Sequence, residues 1–490
     1  MSASITLSAG SAYDAATHAR MRGKNGCTIT HHAVARGTAA VHAQPESVTW
    51  LDRPASDPDV RDAGWVERLL DLLAARVPPP IGGACTAAHP VRHGGRDAAL
   101  AALAMIDPAA YARTRNHLDG GITRLSPWLR HGVLSLAEVR DAAIGCVASA
   151  HEAEKLVSEL AWRDYWQRVY ASRGVSIDSD LEPPAAAATR GHMLAVPPDV
   201  LAGSTGMACV DAFVRELYST GFLHNHARMW LASWLIHARG VRWQAGAAWF
   251  LSHLLDADPA SNTLSWQWVA GTFASKPYIF NRENLERFTN GRFCGGCAVA
   301  GHCDLEGSYE ELAASWFSGA PVERPRLKIP PSLPWQPAIP SLGDAAGGRI
   351  VWLTLNSLAE TSPAAAAHPL APRIFLFDPA WFARERPSRL RLRFMLECLA
   401  DIPRLDIGVG PSEVGLHEAL QHHRATHVAV ADTPCPFTRQ AAAQLAMQHA
   451  VEGVSGPAFV NASRVTDLGR FSRYWSLVRT SAMVPTQPSR

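Results

Sequence analysis

The apolar pattern of this chain changes period once, and that change limits the folds open to it. From about Trp65, apolar residues recur at helical spacing in WVERLLDLLAARV, GGRDAALAALAMI, SLAEVRDAAIGCVASA, EAEKLVSELAWRDYWQRVY, CVDAFVRELYSTG and HARMWLASWLIHARG. No convincing strand interrupts them before about Phe317. Then comes APVERPRLKIPPSLPWQPAIPSLG, with seven Pro between Pro321 and Pro340, which reads as a stiff, extended linker. Beyond it RIVWLTL, RIFLFD and THVAVAD are short runs rich in β-formers, and LRLRFMLECLADI and FTRQAAAQLAMQHA have helical spacing. Strands alternating with helices predict a parallel sheet with right-handed crossovers. The expected fold is α plus α/β: an all-helical domain over 61–320, a linker over 321–345, and a C-terminal parallel α/β, Rossmann-like domain over 346–490. Residues 1–60, rich in Ala, Thr, His and Ser, show no period and receive no assignment.

A chain of 490 residues with 47% hydrophobic content can bury a large core. Its net charge of +2 excludes recognition of nucleic acid by overall charge, so DNA contact would come from a local patch. The N-terminus has no continuous apolar h-region, and the run MWLASWLI is too short to span a bilayer. Nine Cys without an export signal do not form a disulfide framework. A cytoplasmic monomer without a membrane partner is expected. Sixteen Trp suit either an aromatic core or an electron-transfer role, and their positions must decide.

Four stretches carry candidate chemistry. In LLDADPASNTLSWQW, residues 254–268, Pro259 suits a first helical turn with Asp258 as its N-cap. Asp258, Asn262 and Trp266 then form one stripe, and Trp268 lies about 200° round from Trp266. One face offers acid, amide and indole to a planar ligand, and the second indole points elsewhere. The ordinary alternative is a capped helix with two core Trp. In GGITRLSPWLRHG, residues 120–132, Ser126-Pro127 reads as N-cap and N1, and the Thr123 and Ser126 hydroxyls sit beside free N–H groups that suit phosphate. An ordinary cap would look the same. Tyr111 and Arg115 lie just upstream. ELAWRDYW, residues 159–166, sets Glu159, Trp162, Arg163 and Trp166 on one face; a Glu159–Arg163 surface ion pair is the plainer reading. In GFLHNHARMW, residues 221–230, Asn225 and Met229 share a face, with Arg228 alongside.

Together, in this order and spacing, the four stretches resemble the FAD-binding domain of the photolyase/cryptochrome family, over about Gly94 to Phe317. The resemblance implies a set of roles. Tyr111, Thr123, Leu125 and Ser126 would hold the FAD phosphates and adjacent ribose, and Arg163 would neutralise phosphate. Asn225, Arg228, Asp256, Asp258 and Asn262 would line the isoalloxazine and ribityl, with Arg228 paired to Asp256 and Asn262 near the flavin N5. Glu159, Trp162, Met229 and Trp268 would receive a flipped-out pyrimidine dimer, with His226 where the dimer-repairing branch has Arg. Trp266 and Trp243 would be the first two members of an electron relay, with Trp230, Trp234 and Trp249 as candidates for the third. Ile122 stands where the family usually has Thr, and Phe222 replaces a Trp. Asn225 and Met229, in place of two His, favour cyclobutane dimers over six-four photoproducts.

Cys294-Gly-Gly-Cys297 and Cys303 could ligate a metal with a fourth ligand, His302 or Cys209. A resemblance to the iron–sulfur branch of bacterial photolyases implies a 4Fe–4S cluster on Cys209, Cys294, Cys297 and Cys303; zinc and free thiols are the alternatives. The C-terminal α/β segments resemble the family's antenna domain, which normally precedes the FAD domain, so a circular permutation is expected. NSLAETS replaces the usual Arg-rich segment after the first strand, which leaves an antenna chromophore open, and GRFSRYWSLV resembles the end of the antenna domain. The function implied is light-driven repair of cyclobutane pyrimidine dimers in UV-damaged DNA. The alternatives are a cryptochrome-like photoreceptor with a signalling partner, and an iron–sulfur protein that binds single-stranded nucleic acid.

Overall fold

The computed structural model describes residues 47–53, 64–83, 93–188, 193–318, 324, 327–332, 335 and 348–486. Most of the Pro-rich stretch, and all but seven residues of the unassigned 1–60, lie outside them.

Local signals set the helices that matter for function. Ala150–Arg173 starts at a capping box of Ser149 and Glu152 and ends at Gly174 (φ 54°). Pro259–Ala270 starts at Asp258, whose carboxylate accepts from Ala260 N, and ends at Gly271 (φ 76°). Asn225–Ser233 follows His224, whose ring accepts from His226 N. Trp243–His253 packs on Pro259–Ala270 and carries Gly246, where any Cβ would collide with the Trp266 indole. Among the described residues, strand pairing in this half is limited to β2 (Ala187–Ala188) on β3 (Phe317–Ser318) and one isolated bridge, Met193 to Val241.

The other half is a six-stranded sheet. Its strands are β1 (Thr49–Asp52), β4 (Gly348–Leu353), β5 (Arg373–Phe377), β6 (Leu405–Val409), β7 (Ala425–Ala431) and β8 (Ala450–Val454), in the order β1-β6-β5-β4-β7-β8. The pairs among β4 to β8 are parallel. All residues of β5 and β6 are buried, as a sheet covered on both faces requires.

Three features depart from the expected organisation. The sheet is mixed, because β1 joins its edge antiparallel to β6. The four-residue run TWLD is too short to show a period, and its partner lies some 350 positions away along the chain. The helix Trp65–Ala74 packs on Arg389–Ala400, so residues 49–52 and 65–74 side with the sheet rather than with the helical half. The segment GRFSRYWSLV forms the helix Phe471–Ala482, which packs on Ala150–Arg173. There Tyr165 donates to Leu468 O at 2.8 Å, and Tyr474 hydrogen-bonds Asp164. One hydrophobic core accordingly runs through both halves, from Leu125 and Trp166 to Phe377 and Tyr474. Among the described residues no helix is long and apolar enough to cross a membrane.

Candidate active site

Five elements of the helical half meet around a cavity of about 320 Å³. The helix Pro108–Thr114 brings Tyr111, and the chain entering Ser126–Arg130 brings Thr123, Leu125 and Ser126. Ala150–Arg173 contributes Glu159, Trp162 and Arg163. Asn225–Ser233 contributes Asn225, His226, Arg228 and Met229; Asp256 comes from the turn before Pro259–Ala270, and Asn262 and Trp266 from that helix itself. Of the residues expected at the site, Asp258, Trp268 and Trp243 do not line this cavity.

Its polar end is built around an unfinished ion pair. Arg228 Nη2 meets Asp256 Oδ2 at 3.0 Å, and its Nε donates to Leu223 O at 3.0 Å. Asp256 Oδ1 is buried and has no hydrogen-bond partner, so the site holds an acceptor that a bound ligand can satisfy. Asn262 donates its amide to Ala247 O at 3.0 Å, which leaves its side-chain oxygen as an acceptor. Trp266 is fixed over Gly246 and edge-on to Phe250, with 5.1 Å between centroids. Arg124 takes a left-handed backbone (φ 55°) and sets its guanidinium 5.5 Å from the Phe222 ring. Strained non-glycine residues of this kind cluster at functional sites.

Asp258 corrects an expectation. One of its oxygens caps Ala260 N at 3.2 Å; the other accepts from Arg163 at 2.7 Å, Gln167 at 2.6 Å and Ser261 at 2.7 Å. Both oxygens are committed inside the protein, and the side chain lies beneath the helix start instead of lining the cavity. Burial acts to raise its carboxyl, but Arg163 and Arg130 hold it below the ordinary value. Arg163 reaches the cavity with its charge already balanced. Ser126 is corrected too. It is the first residue of its helix, Leu125 is the capping position, and no side-chain cap bond forms.

The plain Glu159–Arg163 pair is replaced by two others, Glu159 to Arg115 at 3.2 Å and to Lys155 at 2.8 Å. Burial and the nearby Glu159 charge raise the Tyr111 phenol, which stays protonated. His226 Nδ1 donates to Asn116 O at 2.5 Å, its ring stacks on Trp230 at 5.2 Å, and burial lowers its pKa. Asn225 Nδ2 lies 3.4 Å from Met229 Sδ.

A second cavity of about 720 Å³ adjoins the first and shares Trp162 and Trp166 with it. Trp268 lines this one, tilted against Tyr278 at 5.6 Å. Its separation from Trp266 follows from the helical angle between them. Phe471 lines it as well and stacks on Trp162. Its cations are the exposed Lys276 and Arg470, the latter paired with Glu182 at 2.8 Å. Trp243 is buried away from both cavities, and its indole donates to Asp180 at 2.7 Å. Trp230, Trp234 and Trp249 are all fully buried, and Trp249 reaches Trp266 through the ring of Phe250.

Phe471 and Gln167 escaped the sequence reading. Gln167 sits one helical turn after Arg163, a spacing that would have flagged it. Phe471 lies some 300 residues from Trp162, and no local pattern links the two.

Cys209, Cys294, Cys297 and Cys303 surround one small cavity with Met207, Phe293 and Leu305. Burial raises the thiols of Cys209 (to about 12), Cys294 and Cys303, and the neighbouring cysteines add to the shift at Cys209. Among the described residues, the only set of three or more His, Cys, Asp or Glu with all ligand atoms within 4.8 Å of one another is Asp406, His422 and His423. There Arg53 already holds the carboxylate at 3.0 Å.

Residues 156–309 match the FAD binding domain of DNA photolyase. A deoxyribodipyrimidine photo-lyase of Streptomyces griseus is 35% identical over 246 residues, which cover 49% of this chain and 48% of that protein. A cryptochrome DASH, chloroplastic/mitochondrial, of Ostreococcus tauri is 34% identical over 205 residues, covering 37% of this chain and 34% of that protein. A deoxyribodipyrimidine photo-lyase of Thermus thermophilus is 37% identical over 200 residues, covering 39% and 47%. The chain spans about half the length, or less, of these curated relatives. Over these stretches the chain is similar to photolyases and to a cryptochrome DASH, and residues 156–309 are similar to the FAD-binding domain.

Proposed function

We propose that this chain is a light-driven DNA-repair enzyme, acting as a cytoplasmic monomer, that binds FAD in the smaller cavity and splits cyclobutane pyrimidine dimers in UV-damaged DNA. The observation that carries the reading is the shared wall. A polar cavity with an unsatisfied buried carboxylate oxygen, Asp256 Oδ1, adjoins an aromatic cavity through Trp162 and Trp166.

FAD fits the donor set of the smaller cavity. When bound in its reduced form it supplies a light-absorbing electron donor. Thr123 and Ser126 hydroxyls, with Tyr111 and Leu125 beside them, would hold its phosphate and ribose end. Arg163, kept in place by Asp258, would donate hydrogen bonds to the phosphate there. Asp256 Oδ1 would accept a ring N–H, with the carboxylate oriented by Arg228. The Asn262 oxygen and Asn225 would complete the polar lining.

A flipped-out dimer would lie in the larger cavity against Trp162 and Trp268, with Met229 and His226, which line the smaller cavity, across the shared wall. Aromatic faces stack on bases, and a carboxylate recognises their edges. Held by Arg115 and Lys155, Glu159 would accept from a base N–H. The dimer takes up one electron, its two ring bonds between the pyrimidines break, and the electron returns. No general base is needed. Trp266 and Trp243 would relay electrons when the flavin must be reduced by light. Dimer loss that needs both bound flavin and light tests the reading, and an Asp256→Asn variant should bind flavin more weakly and repair more slowly.

The cysteine set supports a 4Fe–4S cluster on Cys209, Cys294, Cys297 and Cys303. A single tetrahedral zinc with bonds of about 2.3 Å would draw its sulfurs to about 3.8 Å, and no three of these cysteines meet even the 4.8 Å spacing. The main body of helices precedes the parallel strands β4 to β8, which supports a circular permutation of the family's two domains, joined here through the Pro-rich segment 321–345.

A cryptochrome-like photoreceptor with a signalling partner is the second reading. Phe471 favours it, because the phenyl covers one face of an indole that a flipped base would use.

A further inference from the structure

In an open α/β sheet, ligands enter the crevice outside the carboxyl ends of the strands where the strand order reverses. Here the chain runs from β4 through β5 to β6 on one side and through β7 to β8 on the other, so the reversal lies between β4 and β7. Asn356 and Thr433 stand at those two carboxyl ends and are bridged at 3.0 Å. The crevice is taken by the helical half. Arg130 is 4% exposed and donates to the Asn356 side-chain oxygen. His131 Nδ1 meets Leu355 O at 2.9 Å. Gly132 (φ 66°) comes so close that a Cβ would lie 2.1 Å from Asn356 O.

The other edge of the same guanidinium faces the flavin site. Arg130 Nε donates to Ala257 O at 2.9 Å, between Asp256 and Asp258. Arg391, from the C-terminal half, donates to the same oxygen at 3.3 Å and to Leu251 O at 2.6 Å. Arg391 is paired at 2.5 Å with Glu385, and both side chains are at most 1% exposed. Ser388 N donates to Ser252 O at 2.8 Å, and Ser252 Oγ to Glu385 O at 3.1 Å. Both ends of the turn 251–257 are tied to residues 385–391.

We propose that the C-terminal α/β unit positions the Asp256 turn of the flavin site, with Arg130 and Arg391 as positioning residues and the sheet's own ligand crevice as the socket. A carbonyl has two lone pairs, and here both face buried cations. Such bonds fix direction more than they add stability. Rotation of the turn would cost both guanidiniums their bond to Ala257 O, so Asp256 keeps its unsatisfied oxygen toward the cavity. The inference rests on the flavin reading only for its consequence, not for the geometry.

The test replaces the buried pair by Arg391→Leu together with Glu385→Leu in the full chain, which removes both buried charges at once and leaves Arg384, a third exposed, to solvent. Two readouts are taken. Amide exchange at Leu255 and Ala257, without flavin, should speed up while that of the Ala150–Arg173 helix stays unchanged. FAD binding should weaken about tenfold in the wild-type background and far less in an Asp256→Asn background, as for residues acting as one unit. Unchanged exchange at Leu255 and Ala257 overturns the inference whatever binds in the cavity. Altered exchange with FAD affinity unchanged, or weakened equally in both backgrounds, also overturns it, since Arg391 would then not act through Asp256. Wild-type protein that takes up no FAD overturns the flavin reading and the affinity consequence, while the exchange result still judges the geometry.

Discussion

The phenyl ring of Phe471 lies flat on the indole of Trp162, with 3.7 Å between centroids and 13° between planes. Trp475 stacks behind Phe471 at 6.3 Å. The three rings join the C-terminal helix to the helix that carries Glu159, and they fix which face of Trp162 stays open.

Replacing Phe471 by Ala should separate the two functional readings. In a repair enzyme the phenyl backs the indole, and its loss should weaken binding of dimer-containing DNA several-fold, for an aromatic pair worth about 1 kcal/mol. In a photoreceptor whose pocket is closed by Phe471, the same change should strengthen that binding. Titration of a labelled oligonucleotide carrying one dimer, against its undamaged twin, reads the sign.

Asp258 and Asp256 should respond differently to the same chemical change. Asp258→Asn breaks a buried pair with Arg163 and should cost about 3 kcal/mol of stability with or without flavin. Asp256→Asn should act mainly on flavin retention. Urea unfolding of apo and flavin-loaded protein makes the comparison. Because the Asp258 carboxyl is held below its ordinary value of 3.8, its contribution is present above that pH and is lost as pH falls further.

Two buried histidines set an acid limit at higher pH. Burial lowers His237 and His253 from 6.5 to about 4. Unfolding lets each take up a proton between those values, so stability should fall on acidification from pH 6.5 toward 4. Each contributes a slope of roughly 1.4 kcal/mol per pH unit. His253→Gln should flatten the measured slope by about one proton. A midpoint that does not move across this range would contradict the assignment.

Cys297→Ala should lose iron and acid-labile sulfide from anaerobically purified protein. Full retention of both would show that the ligand set is wrong, and zinc in their place would show that the metal is.

Much of the site was legible because it is local. Asp258, Asn262 and Trp266 share one helix, and spacing sets Asn262 and Trp266 on one face and Trp268 on another; that the first face is the cavity side was implied by the resemblance. The Arg228–Asp256 pair followed from the resemblance. What could not be read depends on contacts between distant segments: Arg163 reaching Asp258, Phe471 reaching Trp162, Arg391 reaching Ala257. Asp258 was misplaced for this reason, since a capping acid and a lining acid look alike until the partners of both oxygens are known. The edge strand β1 and the short strands β6 and β8 escaped because four or five residues carry too little pattern without their neighbours.

The central claim is best tested by repair. The protein is purified in the dark, its flavin is confirmed as reduced by absorbance, and it is given an oligonucleotide with a single cyclobutane thymine dimer. The account predicts dimer loss under blue light and none in the dark. Bound, reduced flavin with no dimer loss under light would contradict it and would turn attention to the photoreceptor reading.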